Sequence, residues 1–276
     1  MQLGIHLPHI GRKAGPAAIR RAAIQAEALG FDDVWVSEHI IVPAGAPYPP
    51  SPLFFDPVLS LTWAAAATRR VRLGTSVLVL PLRHPLPLAK ELATLQCLSE
   101  GRLILGAGAG WLEAEFAALG VPFRERGRRL DEGLAMMRAV WSEDPVSFPA
   151  RAIAAEIAAM RMLPQPSAPI PVWIGGGSEA ALARALRHQG WHGSRIEAAA
   201  LSGLAARLRA QAAPGFTISV RLRHPEGATA DGFAPTLAAY AAAGADHAMV
   251  EPQARGLEAW LAAVEQVAAA RAIAGL

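Results

Sequence analysis

The chain of 276 residues is 53% hydrophobic and 18% charged, with a formal charge of +3 and a single cysteine, Cys97. That balance supports a sizeable buried core and excludes a disordered chain, and the small charge, with no basic run longer than the Glu125-interrupted stretch from Arg124 to Arg129, argues against nucleic acid as a partner. One cysteine excludes an internal disulfide and fits a reducing compartment; with no leader-like segment before the first strand and no uninterrupted apolar run of spanning length, a cytoplasmic protein without membrane contact is expected.

Leu3 to Pro8 reads as a first strand, and Pro16 to Leu29 as a helix with Ile19, Ala22, Ala23, Ala26 and Leu29 on one face. Pro16 suits the first helical turn and Gly30 the position just beyond the last. The apolar run Asp33-Val34-Trp35-Val36-Ser37-Glu38-His39 is the next strand. A long Pro-rich loop, 40–55, carries Tyr48, Phe54 and Phe55, and loops of that length inside a domain are usually functional. Asp56 is the expected N-cap of an Ala-rich helix ending at Thr68. Strands at Arg72–Leu80 and Gly101–Gly106 alternate with helices at Leu86–Leu98, Leu112–Leu119 and Gly127–Trp141. The pattern weakens over about 142–170, which suggests an insertion or lid after the fourth βα unit. It resumes with a strand at Pro171–Gly175, a helix to Gln189 and a short strand at Gly190–Gly193. A helix at Ile196–Ala213, a strand at Phe216–Arg223, a helix at Phe233–Ala243, a strand at Asp246–Glu251 and a helix at Leu257–Ile273 complete the chain. About eight strand–helix units in succession predict an α/β fold, a (β/α)8 TIM barrel forming a single domain over residues 1–276, with an open doubly wound sheet as the alternative.

In such a barrel the strand C-terminal ends build the active site. Here they carry His6, Ser37-Glu38-His39, Ser76-Val77, Ala107-Gly108-Ala109-Gly110 and Gly175-Gly176-Gly177-Ser178. His39 and Glu38 follow an apolar strand where a core meets a cleft, and a histidine there is suited to proton exchange near neutral pH; its alternative is a capping hydrogen bond to backbone. Gly175, Gly176 and Gly177, with Ser178 at a helix start, can expose N–H groups to a phosphate, or merely permit a tight turn. Gly106-Ala107-Gly108-Ala109-Gly110 lacks the dinucleotide spacing, since Leu112 and Glu113 follow Trp111; its small residues are better suited to letting a flat ring lie against the backbone. His6, His9 and His39 could converge at the mouth, but no carboxylate stands where a bridging metal ligand is wanted, so no metal site is expected. Ser37 and Ser76 lack a nucleophile elbow. Met136, Met137 and the tryptophans at helical spacing are expected in the core.

Leu29 to His39, Arg70 to Val77, Ser99 to Trp111 and Pro171 to Ser178, in that order, resemble the bacterial luciferase-like flavin superfamily, and most closely its branch using the deazaflavin coenzyme F420. The resemblance implies a TIM barrel with the ring across the strand C-terminal ends. His39 would lie near the reacting face, a non-prolyl cis peptide at Ser76-Val77 would lie behind the ring, and Gly176-Gly177-Ser178 would hold the phosphate. It implies an F420-dependent oxidoreductase acting on a small organic substrate and forming a homodimer. The alternatives are an FMN-dependent monooxygenase served by a separate reductase, or a ligand-binding barrel without turnover. Trp111 occupies the place where F420-dependent sugar-phosphate dehydrogenases carry a proton-donating glutamate, which argues against sugar-phosphate oxidation. Glu38 replaces the family's usual aspartate and is expected to affect the orientation of His39.

Overall fold

The computed structural model describes residues 1–276 except Pro47, Pro50, Ala152, Ala154 and Ala155. Eight parallel strand positions close into a ring. They are β1 (Gln2–His6), β2 (Asp33–Val36), β3 (Arg72–Thr75) with its continuation β4 (Leu78–Val79), β5 (Leu103–Gly108), β8 (Val172–Gly175), β9 (Gly190–Ser194), β10 (Thr217–His224) and β11 (His247–Pro252). β1 pairs with β11, and the ring closes where β3 pairs with β5, with Leu73 opposite Leu103. The expected TIM barrel is therefore what the chain forms. The helices on its outside are α1 (Pro16–Ala28), α2 (Pro57–Ala67), α3 (Pro85–Leu98), α4 (Glu113–Ala118), α5 (Arg126–Ser142), α6 (Glu179–Ala185), α7 (Ala198–Arg209), α8 (Ala230–Ala242) and α9 (Leu257–Ile273). Asp56 caps α2 as expected, its side chain accepting from Leu59 N at 3.0 Å.

The period of two along each strand divides the interior into two cores. Outward residues such as Ile5, Val34, Leu73, Leu105, Ile174, Val220 and Val250 pack under the helices. Inward residues Trp35, Ile104, Trp173 and Met249 form a separate cluster inside the ring. Trp35 fits there because its neighbours have no side chains. A Cβ on Gly74 would lie 2.3 Å from the indole, and one on Gly4 would lie 2.5 Å from its Nε1. Beside this cluster the barrel holds buried polar groups, Asp33, His192, Ser219 and His247.

Several expectations need correction. β2 ends at Val36, so Ser37, Glu38 and His39 stand just beyond the strand, where backbone ladder bonds no longer fix them. The helix after β8 stops at Ala185, short of Gln189, because β9 begins at Gly190. The segment expected as an insertion or lid forms an antiparallel hairpin, β6 (Val146–Phe148) with β7 (Ile157–Met160). Its described residues stay outside the barrel mouth. The stretch that follows binds α3, with Gln165 O accepting from Cys97 Sγ at 3.3 Å and Ala168 O from Gln96 Nε2 at 3.1 Å. Met136 and Met137 are buried as expected, but Trp63 and Trp111 are about half exposed, at 48% and 54%. Trp111 lies in the irregular link before α4, so helical spacing never applied to it.

Candidate active site

The strand C-terminal ends open into a cavity of about 1120 Å³, above the usual range of roughly 300–1,000 Å³ for a small-molecule site and roomy enough for two ligands side by side. His6, Glu38, His39, Ser76, Val77, Gly108, Ala109, Gly175, Gly176 and Ser178 all line it. Ala107 and Gly177 do not. Ala107 points outward into the helix-facing core, as the alternation along β5 demands, and Gly177 faces open solvent.

The peptide between Ser76 and Val77 is cis, as the resemblance implied. Val77 then projects between two glycines. A Cβ on Gly108 would lie 2.6 Å from Val77 Cγ2, and one on Gly175 would lie 2.7 Å from Cγ1. The expectation that the small residues of 106–110 leave backbone bare for a ring needs revising at Gly108, because the space is filled by the Val77 methyls, which form the apolar shelf. Ser178 spends its hydroxyl as the cap of α6, accepting from Ala181 N at 3.2 Å.

His39 is held from three sides. Nδ1 lies 3.1 Å from Glu115 Oε2, and the edges of Phe54 and Trp111 meet the ring at centroid distances of 5.2 and 5.8 Å. Nε2 has no partner among the described residues, and the ring faces the cavity. Glu115 is only 2% exposed, and its other oxygen accepts from Ile40 N at 2.5 Å and Ile41 N at 3.2 Å. Its direction is set by the next residue. Phe116 is wedged with Val79 and Leu82, and Gly110, at φ +82°, leaves the space that ring needs.

Glu38 does not orient His39. It accepts from Val79 N at 2.5 Å and pairs with Arg83 Nε at 2.6 Å, and Arg83 also bonds Asp56. Burial pushes the Glu38 carboxyl up against the pull of Arg83. It ties the second strand end to the third.

The remaining polar floor is interlocked. His9 is completely buried, with Nδ1 3.1 Å from Leu7 O and Nε2 accepting from Ser37 N at 2.9 Å. Burial lowers it to about 4, so it stays neutral and acts as a brace. Phe55 N donates to His9 O at 3.1 Å, which ties the end of the loop to the floor of the site. Tyr48 and Phe54 from that loop line the cavity, whereas Phe55 does not. His6 Nε2 lies 2.8 Å from Ser37 Oγ; burial, then Arg221, lowers its pKa well below the ordinary value. Arg221 binds Glu251 by two nitrogens and reaches Ser37 Oγ at 3.1 Å and Ser76 O at 3.2 Å. Sequence reasoning missed Glu115 and Arg221. Arg221 and Arg223 did carry a signal, being charges two residues apart that flank the apolar Leu222 within one strand. Around the walls Arg12, Lys13, Arg126, Arg184, Arg221, Arg223 and Arg255 outnumber Glu38, Glu115, Glu226 and Glu251, a field that favours an anionic ligand. Among the described residues no cluster of three or more His, Cys, Asp or Glu could hold a metal ion, and no helix is long and apolar enough to cross a membrane.

The sequence is 38% identical over 170 residues to the F420-dependent glucose-6-phosphate dehydrogenase of Kineococcus radiotolerans, covering 59% of this chain and 47% of that protein. The matched stretch thus spans about half the length of the curated dehydrogenases it resembles. An uncharacterized protein of Mycobacterium tuberculosis is 31% identical over 222 residues, covering 75% of this chain and 76% of that one. The monooxygenase RslO1 from Streptomyces bottropensis superposes with a TM-score of 0.80 at 23% identity, over 97% of this chain and 98% of that one. An F420-dependent secondary alcohol dehydrogenase superposes at 0.81 with 17% identity, over 98% and 99%. These two likenesses speak for the fold. A family model described as luciferase-like monooxygenase matches residues 1–275, and the chain belongs to that family of oxidoreductases.

Proposed function

We propose that this protein is an F420-dependent oxidoreductase that transfers a hydride between the deazaflavin and a small unsaturated or carbonyl-type substrate. The observation that carries the reading is the His39–Glu115 pair, which leaves one imidazole nitrogen facing a large cavity. The dehydrogenase relatives, named as F420-dependent, favour deazaflavin over FMN.

The site fits such a group. Val77 offers an apolar shelf for a planar ring, and the cationic walls suit an anionic tail, with Gly175, Gly176 and Ser178 at the rim for its phosphate. The cofactor, when bound, supplies the hydride chemistry. The chain's own residues do the rest. Glu115 orients His39, so that Nε2 can give or take the proton that accompanies the hydride. Phe54, Tyr48 and Trp111 make an aromatic wall on the substrate side. Trp111, standing where the sugar-phosphate dehydrogenases have an acid, favours a substrate less polar than a hexose phosphate.

Titration of the protein with F420 and with FMN, read by the fluorescence of Trp111 and its neighbours, tests the cofactor. Saturable quenching by F420 at concentrations where FMN has no effect is expected. Tighter binding of FMN, or of neither, overturns the assignment.

A further inference from the structure

A line of hydrogen bonds descends from the floor of the cavity through the inside of the barrel. Ser76 Oγ lies 2.8 Å from His192 Nε2, and His192 Nδ1 lies 2.7 Å from Ser219 Oγ. Ser219 Oγ is 2.7 Å from His247 Nδ1, and His247 Nε2 is 2.8 Å from Asp33 Oδ1. Asp33 is anchored at the far end by Arg72 Nη2 at 2.6 Å and by the Trp35 indole N–H. The two imidazoles are clamped by the same indole. Trp35 stacks on His192 at 5.2 Å with 3° between the planes and lies 5.3 Å from His247. Of the five groups Ser76 and His192 line the cavity, and Ser219, His247 and Asp33 do not.

Each internal member has one hydrogen to give along the line and one lone pair to offer, so fixing one end fixes every bond. Asp33 accepts from Arg72 Nη2 at Oδ2 and from the Trp35 indole N–H at Oδ1, and these donors hold its carboxyl low against the push of burial. An ionised carboxylate can only accept. Arg72 already pairs with that carboxylate at 2.6 Å, and we take His247 beside it as a neutral imidazole. His247 then donates from Nε2 and must accept at Nδ1 from the Ser219 hydroxyl. Ser219 accepts in turn from His192 Nδ1–H, which leaves His192 Nε2 to accept from Ser76. A carboxylate that selects a histidine tautomer is the same device found behind catalytic imidazoles; here it acts across two histidines and a serine.

We infer that Asp33, His247, Ser219 and His192 are positioning residues that aim the Ser76 hydroxyl hydrogen into the protein, so that Ser76 meets the bound ligand only as an acceptor. The molecule above it must present an N–H or O–H at that point. A ligand offering a bare lone pair there would face an uncompensated repulsion, so the column acts on specificity although three of its five members never touch the cavity.

The polarity is measurable without a ligand. Long-range ¹⁵N–¹H NMR of histidine-labelled protein is expected to show His192 neutral with its proton on Nδ1 and His247 neutral with its proton on Nε2. A proton on His192 Nε2, or an imidazolium at His247, reverses the line and overturns the inference. Ser219→Ala is expected to release His192 into a mixture of tautomers, and Ser219→Thr, which keeps the hydroxyl, to restore the single one; an unchanged His192 in Ser219→Ala also overturns it. The ligand arm rests on the cofactor proposed above. F420 is expected to bind Ser219→Ala about threefold to tenfold more weakly, the size of one lost hydrogen bond, and Ser219→Thr normally. Failure of F420 to bind the unaltered protein defeats the cofactor assignment and leaves the tautomer result standing; equal binding to all three proteins defeats the role of the column in recognition.

Discussion

Nδ1 of His39 and Oε2 of Glu115 are 3.1 Å apart although the residues are 76 positions apart in sequence. The contact turns a histidine at a strand end into one with a fixed ring plane and a single nitrogen available to the cavity. Replacing His39 by Ala should lower kcat/KM by about 10²–10⁴, the usual range for a lost proton-transfer group, while F420 affinity stays within a few-fold. Glu115→Gln should cost about tenfold to 100-fold, since a charge-assisted bond becomes a neutral one. Steady-state kinetics beside fluorescence titration separates the two effects; activity unchanged in His39→Ala removes that residue from the chemistry.

Glu38 predicts a different phenotype. Its carboxylate is fully buried between Arg83 and the Val79 amide, and removing one partner of a buried pair costs about 3–5 kcal/mol. Glu38→Ala should therefore lower the denaturation midpoint strongly, and activity per folded molecule should fall far less than in His39→Ala. A variant as stable as the parent would show that the pair contributes nothing net.

The buried histidines set the pH response of stability. Burial holds His9 at about 4 and His192 at about 3 in the folded protein, whereas both titrate at about 6.5 when exposed. Below about pH 6.5 the unfolded chain therefore binds protons that the folded chain refuses, and stability falls as pH drops toward about 4. The full loss for His9 is on the order of 3 kcal/mol. Denaturant midpoints taken between about pH 7.5 and pH 5 should decline, and His9→Gln should flatten the slope by about one proton. A midpoint that holds steady or rises on acidification contradicts neutral burial.

Val77 and its two glycine neighbours make a cycle. Gly108→Ala places a Cβ 2.6 Å from a β-branched side chain that cannot swing aside and should cost about 1–3 kcal/mol, much of which Val77→Ala should restore. Gly106→Ala is the control. Its Cβ would meet the Thr75 carbonyl oxygen at 1.7 Å, a backbone atom, so no side-chain change should rescue it. Additive costs for Gly108→Ala and Val77→Ala would mean that the two do not share the space.

Much of the fold was legible because its signals are local. The helix Leu257–Ile273 has the expected bounds, and the Asp56 cap and the eight strand–helix units follow from capping chemistry and periodicity. His39 was legible too, since an apolar strand that ends in an imidazole is visible in one dimension. Its partner was not. Glu115 sits beside one other acid, Glu113, on a short helix, and only the closure of β3 on β5 brings that helix against the second strand end. Glu38 misled for the same reason, because adjacency in sequence stood in for adjacency in space, while its real neighbour Arg83 comes from beyond the next strand. The small residue at 108 was noticed for the right composition but the wrong occupant, since nothing local records where Val77 points.

Trp35 has taken the volume that residues 4 and 74 gave up, and this makes the three positions a single heritable unit. A lineage cannot shrink the indole alone without opening a void in the middle of the barrel, nor enlarge either glycine without a collision. Because the same ring grips both imidazoles below Ser76, drift in this trio would also unsettle the floor on which ligands are judged. Transplanting the rim residues into a related barrel should therefore carry their selectivity along only when Gly4, Trp35 and Gly74 travel with them.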